Sequence, residues 1–198
     1  MKEPKHNPRT PDVEIDPMFV DRWSPRAFDP SPLSDVELRS LFEAARWAPS
    51  SSNEQPWIFL YAQSEPDRAR FASALVEANR VWAERAPLLL FIAARTHFAA
   101  KPEVINRTAL FDTGAAWMSL ALQARKLGLY THAMAGFDAD RAHEVLGLDR
   151  QRYALIAAVA VGRRGDESLL PEKLAARENP STRKGQSEFV FEGRLREG

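Results

Sequence analysis

Residues 34–62 read SDVELRSLFEAARWAPSSSNEQPWIFLYA. Ser34 and Glu37 have the spacing of a capping box, and Leu33 and Leu38 that of a hydrophobic staple. Leu38, Leu41, Phe42, Ala45 and Ala48 then fall on one apolar stripe, so the spacing predicts a helix over 35–48, stopped by Pro49. Trp57 to Ala62 is aromatic and aliphatic throughout and reads as a strand. Between them lies Pro49-Ser50-Ser51-Ser52-Asn53-Glu54-Gln55-Pro56, unusually polar for a link between two apolar elements. Its hydroxyls and primary amides donate and accept together, which suits the edge of a heteroaromatic ring with alternating nitrogen and carbonyl groups. The same composition also suits a plain helix-to-strand loop.

Downstream, helix and strand patterns alternate. A helix is expected over 66–79, with Phe71, Leu75 and Ala78 on one face. Residues 88–94 are too continuously apolar for a half-exposed strand and read as a central one. A long helix follows over 107–127, apolar on much of its circumference, with Gly128 at the position of a Schellman stop; such a helix belongs inside a fold or in a subunit interface. Residues 129–134 read as a short strand, Asp138 caps a helix to Leu146, and 153–161 form a second buried strand. Upstream, Pro4, Pro8 and Pro11 make residues 1–16 an extended arm, with a short helix near 18–23. After Gly162 the chain turns charged and loses periodicity, and Phe189-Val190-Phe191 reads as a short terminal strand. The organisation is thus an arm (1–16), one domain (17–162) and a C-terminal arm (163–198) that needs a surface to lie on.

Composition removes whole classes of function. The 198 residues carry 27 Lys+Arg against 27 Asp+Glu, with no basic excess to hold nucleic acid. There is no cysteine, hence no disulfide, thiolate metal site or thiol nucleophile. The four histidines show no metal-ligand spacing. No apolar run approaches the roughly 20 residues of a membrane span, and the charged, Pro-rich start has no signal-peptide pattern, so a cytoplasmic location is expected. No Gly-rich phosphate loop, nucleophile elbow or H-E-x-x-H motif is present. No catalytic acid, base or nucleophile stands out, so any demanding chemistry would belong to a bound cofactor.

Three constellations remain besides the 49–57 loop. Arg22-Trp23-Ser24-Pro25-Arg26 places two guanidiniums around a hydroxyl, a donor set that matches phosphate oxygens. It reads equally as two solvated arginines. In His132-Ala133-Met134-Ala135-Gly136-Phe137-Asp138, Gly136 precedes a helix start and its N–H could approach a ligand closely. An ordinary strand–helix turn, with His132 a satisfied core or surface residue, is the alternative. Arg183-Lys184 is a second basic pair, or part of a solvated tail.

The order of these segments resembles the FMN-dependent nitroreductase family, from about Phe19 to Arg194. R-x-S-x-R-x-F at 22–28 looks like the family's flavin-phosphate motif, and A-P-S-S-x-N-x-Q-P-W at 48–57 looks like its most specific signature. Asn79 takes the place of a flavin-contacting Asn, Gly136-Phe137-Asp138 that of the turn facing the flavin N5, and Arg183 that of a C-terminal phosphate clamp. The resemblance implies an α+β fold of three layers, α/β/α, around a central mostly antiparallel sheet. It also implies a homodimer with exchanged C-terminal arms and two flavin sites at the interface. The cofactor-binding residues it implies are Arg22, Trp23, Ser24, Arg26, Pro49, Ser50, Ser51, Asn53, Gln55, Asn79, Ala135, Gly136, Arg183 and Lys184. Of these, Ser50, Ser51, Asn53 and Gln55 would come from the other subunit, and Arg26 would reach either the phosphate or the N1–C2=O edge. The activity implied is ping-pong hydride transfer from NADH or NADPH through FMN to a small-molecule acceptor such as a quinone or nitroaromatic. A non-catalytic flavin-storage protein and a cofactor-free structural homodimer are the alternatives; NADH oxidation and the visible spectrum discriminate them.

Overall fold

The computed structural model describes residues 7–195; the first part of the expected arm, residues 1–6, lies outside them. Residues 7–16 carry neither helix nor strand and lead into α1 (Pro17–Asp21), which Asp16 caps. In α2 (Asp35–Arg46) both halves of the capping box form: Ser34 N–H donates to Glu37 Oε2 at 2.8 Å, and Glu37 N–H to Ser34 Oγ at 3.3 Å. The helix ends two residues before the apolar stripe does, because Ala48 precedes a proline and is pushed off helical geometry. A single 3₁₀ turn at Ser51–Asn53 then leads to β1 (Trp57–Ala62).

The helix expected over 66–79 is instead two, α3 (Glu65–Ala72) and α4 (Glu77–Ala83). Val76 between them is extended, at φ −63° and ψ 149°. The chain leaves the helix there to pair with the turn after β5: Val76 N–H donates to Gly136 O at 3.2 Å and Asp138 N–H to Ala74 O at 2.8 Å. Then come β2 (Leu88–Arg95), a small hairpin of β3 (His97–Phe98) and β4 (Lys101–Ile105), and α5 (Ala109–Lys126). The chain continues through β5 (Tyr130–Met134), α6 (Ala139–Leu146) and β6 (Tyr153–Gly162). Asp138 caps α6 through Arg141 N–H, and Gly147 closes it in the left-handed region at φ 65°, a conformation that suits a residue without a Cβ.

The main sheet runs β1-β2-β6-β5, every neighbouring pair antiparallel. Residues of β2 alternate between its faces. Leu88, Leu90 and Ile92 join Leu41, Leu120 and Leu129 on the side of α2 and α5. Leu89 and Phe91 join Phe71, Trp82 and Phe28 on the other. Both faces being covered explains why the central strands are apolar without alternation. On its far side α5 leaves Leu110, Phe111 and Met118 exposed, Phe111 by 80%.

Past β6 the chain returns to the start of the domain. Gly165 N–H donates to Ala27 O at 2.8 Å and Asp29 N–H to Arg163 O at 2.9 Å. Leu170 is buried near the short helix α7 (Glu172–Ala175), and Glu178 is fully buried. Residues through Glu178 therefore pack on their own chain, and the exposed part of the tail starts after them. The terminal strand expected at 189–191 does not form. A 3₁₀ turn at Gln186–Glu188 precedes three exposed apolar residues, because a strand needs a ladder partner and this chain offers the segment none.

Candidate functional site

From Arg22 to Ala27 burial alternates: Trp23, Pro25 and Ala27 point inward, while Arg22, Ser24 and Arg26 remain partly open. The alternation is that of an extended segment, so the two arginines and the serine share one side. Trp23 is an anchor, packed edge-on against Tyr130 with centroids 6.1 Å apart. The backbone is held from below by two titratable side chains. Glu178 Oε1 accepts the N–H of Arg26 at 2.7 Å and of Ala27 at 2.9 Å, and its Oε2 lies 4.0 Å from Arg26 Nη1. His132 on β5 places Nδ1 2.9 Å from Pro25 O. A carbonyl can only accept, so Nδ1 carries the proton. The ring lies 4.6 Å from that of Trp82. Burial pushes its pKa down to about 4 from 6.5, the Pro25 contact opposes this, and the charges of Arg26 and Arg22 add to it. His132 is accordingly neutral near pH 7.

The far ends of the chain meet over this segment. Arg9 Nε donates to Ser181 O at 2.7 Å, and its Nη1 donates to Val20 O at 3.0 Å and Arg22 O at 2.8 Å. Burial and then the nearby charge of Arg183 lower the pKa of both Arg9 and Arg22. Three guanidiniums thus crowd together, and among the described residues none of them is ion-paired with a carboxylate. Such a cluster has the donors and the charge to hold an anion with several oxygens. Arg183 belongs to it. Lys184 instead sits 3.8 Å from Glu188.

Asn79 and Gly136 meet because of the break between α3 and α4. Asn79 Nδ2 donates to Gly136 O at 3.0 Å. A Cβ at Gly136 would stand 2.5 Å from that nitrogen, so any larger residue would displace the Asn79 amide, with Ala135 exposed beside it. Trp82, one turn further along α4, is the residue that packs on His132. One short helix therefore links the Asn79–Gly136 contact to the ground beneath Arg22–Arg26.

The loop after Pro49 is strained. Ser52, Asn53 and Gln55 have φ of 54°, 55° and 50°, left-handed geometry that costs of order 1–3 kcal/mol per non-glycine residue, less for Asn. Its shape is held by Ser50 Oγ accepting Gln55 N–H at 3.0 Å and by Ser51 N–H donating to Asp112 Oδ2 at 3.1 Å. Glu54 Oε1 adds a tie to the β3–β4 hairpin, accepting Ala99 N–H at 2.6 Å. Among the described residues no hydrogen bond or ion pair joins residues 49–55 to Arg22, Arg26, Asn79, Gly136 or Arg183. One chain thus brings together Arg22 with Arg183, and Asn79 with Gly136, and keeps the polar loop apart.

Four residues escaped the reading of the sequence. Asp112 carried a signal, an acid on the buried face of an otherwise apolar helix. Glu54 looked like one more loop polar group. Arg9 and Glu178 lie in charged segments where nothing distinguishes them from solvated neighbours.

The family model described as "Nitroreductase family" matches residues 20–81 and 76–163. A protein of Bacillus subtilis (strain 168) named "Putative NAD(P)H nitroreductase YdgI" is 30% identical over 187 residues, covering 77% of this chain and 90% of its own. The "CLA biosynthesis enone reductase" of Lactiplantibacillus plantarum is 28% identical, covering 78% and 87%. A crystal structure described as an oxidoreductase containing FMN superimposes with a TM-score of 0.92 at 43% identity, covering 97% of this chain and 98% of that one. With this sheet order, this doubly tied Arg22–Ala27 segment and these relatives, the chain belongs to the nitroreductase family.

Proposed function

We propose that the protein is an FMN-dependent NAD(P)H oxidoreductase that reduces nitroaromatics, quinones or a related small electron-poor acceptor by a ping-pong sequence. The observation that carries this is the meeting of Arg22 and Arg183 with no carboxylate to neutralise them, among the described residues, in a fold whose α4 ties that segment to the close Asn79–Gly136 turn. A terminal phosphate fits the first feature and a flat ring the second. The absence of a Gly-rich pyrophosphate turn favours FMN over FAD.

Bound FMN would supply the two-electron chemistry between a nicotinamide donor and the acceptor. Arg22, Ser24 and Arg183 hold the phosphate, with Lys184 joining once drawn from Glu188. Arg26 sits at the end of that row, and Glu178 fixes its backbone so that its charge stands over the site. Asn79 spends its amide N–H on Gly136 O and keeps its carbonyl oxygen for a ring N–H. Fixed donors near a ring that gains negative charge on reduction act as electrostatic stabilisers. No side chain is assigned as proton donor. Ser50, Ser51, Asn53 and Gln55 would close the same site from a second subunit, which accounts for their lack of contact with the rest in one chain. Exposed Phe111, Leu110 and Met118 on α5 and Trp47 would form the dimer face, and the tail beyond Glu178 would reach across it.

Flavin analysis tests the reading. The purified protein is expected to be yellow, to release FMN on acid treatment, and to bleach anaerobically with NADH or NADPH. Recovery of FAD, or no flavin uptake after reconstitution, overturns it. Flavin that neither nicotinamide reduces would leave a storage protein.

A further inference from the structure

We propose that Arg9 is a positioning residue of the phosphate site, stapling the C-terminal tail to residues 20–22 so that Arg22 and Arg183 face one anion. The inference rests on the flavin-phosphate reading above and adds to it a segment that lies upstream of everything the family model matches. One planar guanidinium spans three carbonyls: Ser181 O through Nε, and Val20 O and Arg22 O through Nη1. Arg9 and Ser181 are 172 positions apart in the chain. Among the described residues theirs is the one hydrogen bond from the rest of the chain to residues 180–195. Asn7 supports the staple at its base, donating from Nδ2 to Val20 O at 3.0 Å and accepting Arg9 N–H at 3.2 Å.

The need for a staple is electrostatic. Arg22 and Arg183 repel, and without an anion nothing between them favours their approach. Arg9 adds a third positive charge, yet its hydrogen bonds go to carbonyls, so it holds the two segments while raising the local field for an anion. Lysine cannot replace it: an ammonium has one nitrogen and lacks the rigid fork that reaches carbonyls in different directions.

The test uses the full chain stripped of flavin, titrated with FMN and with riboflavin, which has the same ring and no phosphate. In Arg9→Ala, FMN affinity should fall about ten-fold or more while riboflavin affinity stays at the parental value. Arg9→Lys should remain close to Arg9→Ala, since charge survives and the fork does not. Trypsin should also cut the flavin-free variant after Arg183 or Lys184 faster than the parent. The inference is overturned if FMN affinity is unchanged in Arg9→Ala, if FMN and riboflavin weaken equally, or if Arg9→Lys restores full affinity. A parent chain that takes up no FMN overturns the flavin reading itself, and this inference with it; the parental titration shows which has failed.

Discussion

His132 is a histidine that the fold keeps from becoming a cation. It is enclosed against Trp82, donates to Pro25 and faces Arg22 and Arg26. Its pKa in the folded chain, about 4, lies below the unfolded 6.5. As pH falls the unfolded chain therefore takes up the proton first. The stability this residue contributes is complete above pH 6.5 and drains away towards pH 4, up to about 3 kcal/mol in all. Several carboxylates titrate in the same range, so a difference isolates the histidine. His132→Gln retains a donor for Pro25 without the titration. Urea midpoints at pH 7 and pH 4.5 should show the parent losing clearly more stability than the variant; equal losses would mean that the ring titrates normally. None of this was visible in the sequence, where His132 read only as a satisfied residue. Its partner is 107 positions away, and no local pattern encodes such a contact.

The polar loop shows what an element can and cannot disclose. Its boundaries were legible because a capped helix, a proline and an aromatic strand bracket it. Its strain was not, since Ser52 and Gln55 are not residues that announce left-handed backbone. Gln55→Gly removes the steric cost at one such position. Unfolding free energy should rise by about 1 kcal/mol while FMN binding weakens, both read by denaturant titration and flavin titration of the same protein. A variant no more stable than the parent would mean that the loop carries no strain at Gln55. The single helix expected over 66–79 failed for a related reason. Its apolar spacing is genuine, but Leu75 and Val76 are claimed by the turn at 136–138, a tertiary pairing that helical periodicity cannot foresee. The central strands were the easiest elements to place, because a strand buried on both faces leaves an unbroken apolar run.

At the scale of the molecule, each flavin site in the proposed dimer draws Arg26 from one subunit and Asn53 from the other. Symmetry then makes a sharp prediction. Homodimers of Arg26→Ala and of Asn53→Ala are each damaged at both sites. In a mixed dimer, one site carries both changes and the other carries none. Co-expression with two tags and isolation of the doubly tagged species should therefore restore about one tightly bound FMN per dimer, with roughly half the parental activity. A mixed dimer as impaired as its parents would place both residues in one chain or remove one from the site. Sedimentation as a monomer would dispense with the shared site altogether. The exposed apolar residues of α5 and the tail at 189–191 are the surface on which this geometry depends. The sequence exposed both, the first as an over-apolar helix and the second as a segment with no core of its own.

The grip of Glu178 on Arg26 and Ala27 also sets an order of events during synthesis. A ribosome releases Ala27 151 positions before the carboxylate that secures it, roughly 8–30 s earlier at ordinary elongation rates. Through that interval the nascent chain can bury its central strands as they pair, but the N–H groups of Arg26 and Ala27 lack their acceptor. On the proposed reading, full cofactor affinity waits for that contact, and a polypeptide truncated before Glu178 would bind FMN more weakly than the full chain.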